Sequence, residues 1–263
     1  MSSDTYEIFA IKYGHHPRKA SENFLGGDPH DDPMPLDYFV WAVRNEERTI
    51  VLDTGFDPDV AIRRGRQTTR PIPEGLAAVG IDVASVTDVV ISHMHYDHAG
   101  NVPIFPAAKF HIQDAEMAFC TGRCMCHPVM RYPFEAQDVQ AVVGKVFEGR
   151  VAFHEGEAEL APGITLHKLG GHTKGLQVMR VKTQRGHVVL ASDAAHLYAN
   201  LDRNHPFPVV VDVDDYLEGL ATVRKLATSR AHIVPGHDPL VLKQYPAARN
   251  GVADIVRLDL EPS

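Results

Sequence analysis

The segment ISHMHYDHAG, residues 91–100, places His93, His95, Asp97 and His98 within six consecutive positions, directly after the strand-forming run VTDVVISH. In an extended or tightly turning backbone, residues two apart share a face, so His93 and His95 converge on one point. Asp97 and His98 need a turn to aim at a neighbouring point, so a strand must end here and the chain must bend at once. Imidazole and carboxylate without thiolate suit Zn²⁺, with Mn²⁺, Fe²⁺ or Co²⁺ as further candidates. Four residues do not complete a two-metal site, and further ligands are expected at the ends of other strands.

Such residues are present. The run GITLHKLG (163–170) leads into GHTKG with His172, GHVVLASD (186–193) ends on Asp193, and RAHIVPGH (230–237) ends on His237. Each alone reads equally well as a cap, a turn residue or a solvated loop histidine. Together they form a set in which apolar strands repeatedly deliver a ligand-type residue to a loop. The chain carries 16 histidines, which by itself is a reason to look for ligand spacing.

Further strand-type runs lie at 37–44, 48–55, 108–113 and 176–183, and helical spacing appears around 72–79, 113–120, 136–147 and 213–228. Asp212 or Asp214 can cap the last helix. Strands early, helices between, then strands and a helix again imply an α/β protein of two packed sheets with helices outside, rather than a regular βαβ winding. No repeat or flexible linker divides the chain, so residues 1–263 read as one domain. Residues 14–37, rich in Gly, Pro and Asp, read as a long lid or binding loop. A net charge of −8 disfavours nucleic acid and anionic membrane as partners. No apolar stretch is long enough to span a bilayer, and the N-terminus lacks a basic start followed by an apolar run. Cys120, Cys124 and Cys126, crowded together, suit no disulfide framework, so a reducing, cytoplasmic setting is expected.

The pattern HxHxDH, then a lone His, a lone Asp and a final His, resembles the metallo-β-lactamase superfamily. The resemblance runs from Asp53 in IVLDTG to His237 in VPGH. It implies an αββα sandwich of two mixed sheets flanked by helices, with a dinuclear site along one edge. By position, His93, His95 and His172 would hold one metal and Asp97, His98 and His237 the other, with Asp193 bridging; Asp53 would stand beside the site without being a direct ligand. Two divalent ions, Zn²⁺ foremost, imply hydrolysis by a shared hydroxide, with Asp97 orienting it and passing a proton to the leaving oxygen. Within the superfamily the chain is most similar to the N-acyl-homoserine lactonase group, which implies a small lactone or ester as substrate. That group usually has a Tyr three residues after the bridging Asp. Here the position is His196, which can take over the donor role, with Tyr198 two residues on as the alternative.

The pocket walls are expected from 14–37 and 119–134. Phe24, Leu25, Met34, Phe119, Met125, Met130 and Phe134 would give apolar surface, and His15, His16, His30 and Arg131 polar contacts. A thioesterase resembling glyoxalase II is the principal rival, but the tail after His237 is too short for the helical region those enzymes carry. A hydrolase of another small ester, amide or phosphoester also shares this site, as does a metal-binding protein without turnover. Monomer and homodimer are equally compatible with the sequence.

Overall fold

A computed structural model describes residues 4–249, 252 and 254–262. The strands in chain order are β1 (Glu7–His16), β2 (Leu36–Arg44), β3 (Thr49–Leu52), β4 (Gln67–Thr68), β5 (Asp88–Val90), β6 (Lys109–Gln113), β7 (Val151–His154), β8 (Glu157–Ala161), β9 (Ile164–Lys168), β10 (Gln177–Thr183), β11 (Gly186–Ser192), β12 (Ile233–Pro235) and β13 (Ile255–Arg257). They make two mixed sheets, one ordered β13-β1-β2-β3-β5-β6-β7 with β4 beside β1, the other β12-β11-β10-β9-β8.

The side-chain period of two explains the layering. In β2, Phe39, Trp41 and Val43 face the second sheet, where they meet Leu166, Met179, Val188 and Leu190. The alternate residues Tyr38, Val40 and Ala42 face outward, onto Leu76 and Val60 of the helices Ile72–Ala78 and Pro58–Arg63. On the other side, Val178, Val189 and Ile233 pack against Tyr216, Leu220 and Val223 of helix Val213–Leu226. Strands covered on both faces read as continuous apolar runs, as in LDYFVWAVR. Each fully buried aliphatic or phenyl side chain in these layers stabilises the fold by roughly 1.5–3 kcal/mol. The result is the expected αββα sandwich. Asp212 caps the last helix, accepting from the backbone N–H groups of Asp214 and Asp215.

Strand direction gathers the loops. β3, β5 and β6 run parallel, as do β11 and β12. β9 and β11 are each antiparallel to β10, so they share a direction. β2 runs antiparallel to both β1 and β3, so the end of β1 and the start of β2 lie at the edge where β3 ends.

Strands β1, β4, β7, β8 and β13 have no counterpart among the expected runs. β1 and β2 pair from Glu7 opposite Arg44 to His16 opposite Leu36, with a register shift between Lys12 and Gly14 that carries the ladder past GHH. The irregular stretch expected at 14–37 is thereby shortened to 17–35. In the tail after His237, Ile255–Arg257 pairs with β1, while Asn250, Gly251, Ala253 and Ser263 lie outside the described residues.

Candidate metal centre

Asp193 is the hub. Its Oδ2 lies 3.7 Å from His93 Nε2, 3.1 Å from His172 Nε2 and 3.0 Å from His196 Nε2. Its Oδ1 lies 3.3 Å from His98 Nε2 and 2.9 Å from His237 Nε2. His95 joins the first group through Nδ1, 2.9 Å from His172 Nε2. Asp97 joins the second, with Oδ2 3.6 Å from His98 Nε2 and 3.8 Å from His237 Nε2. Oδ2 thus faces His93, His172 and His196 and Oδ1 faces His98 and His237, and all of these residues are buried.

The far ring nitrogens are held by the scaffold. His98 Nδ1 is 2.7 Å from Asp53 Oδ2, His172 Nδ1 is 2.7 Å from the Val209 carbonyl, His237 Nδ1 is 3.1 Å from the Asp37 carbonyl and His93 Nδ1 is 3.1 Å from Ser92 Oγ. Such partners fix the tautomer and aim the other nitrogen inward. Asp53 also accepts from the Ser92 backbone N–H, at 2.7 Å, so it stands beside the site as expected. Asp53 (φ 67°) and Ser192 (φ 44°) are non-glycine residues in the left-handed region, a strain of about 1 kcal/mol or more each, stored next to the cluster. Gly236 admits close approach: a Cβ there would sit 2.9 Å from Asp193 Oδ1.

The electrostatics of the cluster suit a cation. Burial holds His93 and His95 well below the ordinary imidazole value, so both are neutral donors of a lone pair. Burial opposes charge on His98, yet Asp193, Asp97 and Asp53 raise it well above that value. Burial likewise opposes charge on Asp193, and the surrounding histidines nonetheless hold it well below the carboxylate range. His93 Nε2 and His98 Nε2 are buried with no hydrogen-bond partner. A buried polar atom left unpaired costs roughly 1–3 kcal/mol. A divalent cation held by these nitrogens would remove that cost, and an all-nitrogen-and-oxygen donor set fits one. Three overlapping groups can hold a metal ion: His93, His95, His172 and Asp193; Asp97, His98 and His237; and Asp193, His196 and His237.

His196 lies at the site with its ring stacked on Phe207, 3.7 Å between centroids, and burial pushes it down to about 3. Tyr198 does not reach the cavity; it is packed between the sheets, with Arg230 over its ring. Glu116 was not singled out by the sequence pattern. Its buried carboxylate accepts from the backbone N–H of Met94 at 2.8 Å, Thr173 Oγ1 at 2.6 Å and the backbone N–H of Gly175 at 2.9 Å, tying the 93–98 turn to the His172 loop. Gly175 is required by this approach, since a Cβ would fall 2.2 Å from the Glu116 nitrogen. An acidic residue on an apolar helix face was the one available signal for it.

Two hollows open from the cluster. A groove of about 550 Å³ runs from His95 and His172 between Phe119, Met130 and Phe134 on one side and 208–211 on the other. A smaller cavity of about 120 Å³ lies over Asp97, Asp193 and His196, walled by Arg18, Arg66, Tyr38 and Tyr96. Of the expected wall residues, Phe119, Met130 and Phe134 line the groove. Phe24 is buried against His205, Leu25 is exposed, and Met34 and Met125 pack against neighbouring clusters. His15 pairs with Asp37 and His30 with Asp28, Arg131 reaches the carbonyls of Met125 and Cys126, and His16 is absent from both linings. The cysteines join none of the candidate metal groups among the described residues, and burial pushes the Cys120 thiol up to about 12.

Residues 34–237 match the family model described as the metallo-beta-lactamase superfamily. The chain belongs to this superfamily of metal-dependent hydrolases. It is 28% identical over 222 residues to the N-acyl homoserine lactonase AiiB of Agrobacterium fabrum (strain C58 / ATCC 33970), covering 75% of this chain and 78% of that one. To the N-acyl homoserine lactonase of a Bacillus species it is 25% identical over 224 residues, covering 77% and 82%. Among solved structures, a quorum-quenching N-acyl homoserine lactone lactonase superposes with a TM-score of 0.73 at 22% identity, over 91% of this chain and 95% of that one. Members of this superfamily hold divalent metals, and the His/Asp groups above could hold them here. Among the described residues no helix is long and apolar enough to cross a membrane.

Proposed function

We propose that the protein is a dinuclear metal-dependent hydrolase that opens a lactone ring. The observation that carries this reading is that Asp193 faces His93 and His172 through Oδ2 and His98 and His237 through Oδ1. His93, His95 and His172 would hold one ion, Asp97, His98 and His237 the other, and Asp193 would face both. The divalent ions, Zn²⁺ being best matched by this donor set, would act as Lewis acids and lower the pKa of water to near neutrality. The curated relatives support a lactone as substrate because they are named as lactonases.

The chain's own residues account for the rest of the reaction. The groove beside His95 takes an acyl or aromatic group, so the ester carbonyl comes to rest over Asp97 and Asp193. Water adds to the carbonyl carbon, the ring C–O bond breaks, and the ring oxygen leaves as an alcohol. Asp97 holds the proton from water and returns it to that oxygen. His196, neutral with its proton on Nε2, donates toward Asp193 and the substrate edge. Tyr38 and Tyr96, whose phenols burial raises, stay protonated as further donors beside it. The 17–35 segment forms the wall of the small cavity through Arg18.

The test is a pH-stat assay of the Zn²⁺- or Mn²⁺-loaded protein against acyl-homoserine lactones, simple and aryl lactones, and a glutathione thioester. Proton release with lactones is expected. Silence on every lactone with metal bound would refute the proposal, and release with the thioester alone would replace it by a thioesterase. For His196→Ala we expect a lower kcat/KM; an unchanged value would move the donor role to Tyr96.

A further inference from the structure

The wall of the small cavity carries two cations that the hydrolysis of a neutral lactone does not require. Arg18 and Arg66 come from separate segments, the loop after β1 and the turn before β4, and both line the cavity over Asp97, Asp193 and His196. Arg66 Nε donates to Tyr96 Oη at 2.9 Å, and its Nη1 to the Arg64 carbonyl at 2.6 Å. Arg18 donates through Nη2 to the Glu22 carbonyl, lies with its guanidinium 5.0 Å from the centre of the Phe207 ring, and leaves its Nε buried without a partner. Among the described residues neither guanidinium is within ion-pair distance of a carboxylate, whereas Arg44, Arg64, Arg203, Arg230 and Arg257 all are. Burial lowers Arg18 from its ordinary value, against the nearby Glu22, while Arg66, despite its burial, is raised by the Tyr38 and Tyr96 phenols and Asp97, so both stay charged. Two arginines lining one small cavity, one of them with a buried and unpartnered Nε, suit an anionic oxygen group there.

We propose that Arg18 and Arg66 read a carboxylate on the substrate, so that the preferred lactone is an acidic one: its apolar part in the groove beside Phe119, its ester over Asp193, its carboxylate against the two guanidiniums. This rests on the hydrolase reading above and narrows its substrate class. It also separates this chain from an enzyme for neutral acyl lactones, for which two unneutralised cations next to a site of divalent ions would be only an electrostatic burden. Tyr96 transmits the placement, since it sits between His95 and Asp97 in sequence and accepts from Arg66. Recognition therefore reaches the turn that carries the reacting groups.

The experiment compares matched lactones with and without a carboxylate, the free acid against its primary amide, for the metal-loaded wild type, Arg18→Gln and Arg66→Lys. Arg18→Gln lies on a loop and keeps the fold testable even where a change at Arg66 disturbs Tyr96. The wild type should favour the acid in kcat/KM by about ten-fold or more, the scale of a charge-assisted pair, and each variant should lose most of that ratio. A purely structural role would lower both substrates equally and leave the ratio intact, which would overturn the inference while the lactonase reading stands. A second readout does not depend on turnover: calorimetric binding of hexanoate against hexanamide to the same three metal-loaded proteins. If no lactone is hydrolysed the lactonase reading fails, and this arm still decides the inference. A preference for hexanoate that falls in both variants supports it, and a preference unchanged by them assigns anion binding to the metals alone and refutes it.

Discussion

Glu116→Gln tests whether the two ligand-bearing loops are held in register by one buried carboxylate. In the wild type that group accepts three hydrogen bonds, from Met94 N–H, Thr173 Oγ1 and Gly175 N–H, and it is wholly buried. Burial raises its pKa, and the three donors work against that rise. Each such bond to a charged acceptor is worth roughly 1.5–3 kcal/mol, so Glu116→Ala would forfeit on the order of 4–9 kcal/mol, comparable to the whole stability of a domain. The amide is the informative change. Its oxygen can still accept from one backbone N–H, but its –NH₂ then faces the other, which is left buried and unpaired; Thr173 can turn its hydroxyl to accept. The expected loss is about 2–4 kcal/mol, read as a lower urea midpoint at unchanged m-value. Because the tie joins the 93–98 turn to the His172 loop, kcat should fall about ten-fold with KM little altered, and bound metal should drop as well. If Glu116→Gln unfolds within 1 kcal/mol of wild type and keeps full metal and kcat, the claim that this carboxylate positions the cluster is wrong.

Four other substitutions probe separate parts of the molecule. His93→Ala and Asp193→Ala should each lose bound metal by elemental analysis and lower kcat/KM by more than the ~100-fold typical of an outer partner; full metal and activity in either would break the ligand assignment. Asp138, in helix Ala136–Phe147, is pushed up to about 7 by burial, with Glu135 and Asp57 adding to it. A folded pKa raised above the unfolded value gives stability that is complete below about pH 4 and lost as pH rises through about 7. Asp138→Asn should therefore leave Tm nearly unchanged at pH 4.5 and raise it by several degrees at pH 8. The shift caps the gain at about 4 kcal/mol, and solvent near the group discounts it to about 2; equal Tm values at pH 8 would rule the penalty out. Phe24→Ala, which empties a fully buried site in the 17–35 wall, should cost about 3 kcal/mol and raise KM with metal content unchanged. An unchanged KM would mean that this segment does not bound the substrate.

The sequence by itself determined the fold class and the identity of the clustered histidines and aspartates, because both signals are local. Apolar runs of strand length end on His93, Asp193 and His237, and a short HxHxDH turn can only converge its side chains. It also marked the helices at 72–79, 113–120, 136–147 and 213–228 through their spacing. β1 carries a strand-type run of its own in Ile8, Phe9, Ile11 and Tyr13 that the expected runs left out, whereas β7 and β8 are short and half-exposed and are strands through their pairing partners. His196 was visible as a departure, but only packing decided that its Nε2 turns to Asp193 while Tyr198 is carried between the sheets. The shape of the site was decided by tertiary structure alone. Glu116 reaches across to Thr173 and Gly175, residues 208–211 close the groove opposite 119–134, and Arg18 and Arg66 line one cavity with Asp97. An isolated arginine or glutamate in a loop or on a helix carries no mark of its neighbours. Its meaning is set when parallel and antiparallel strand directions bring distant chain ends to one edge of the sandwich.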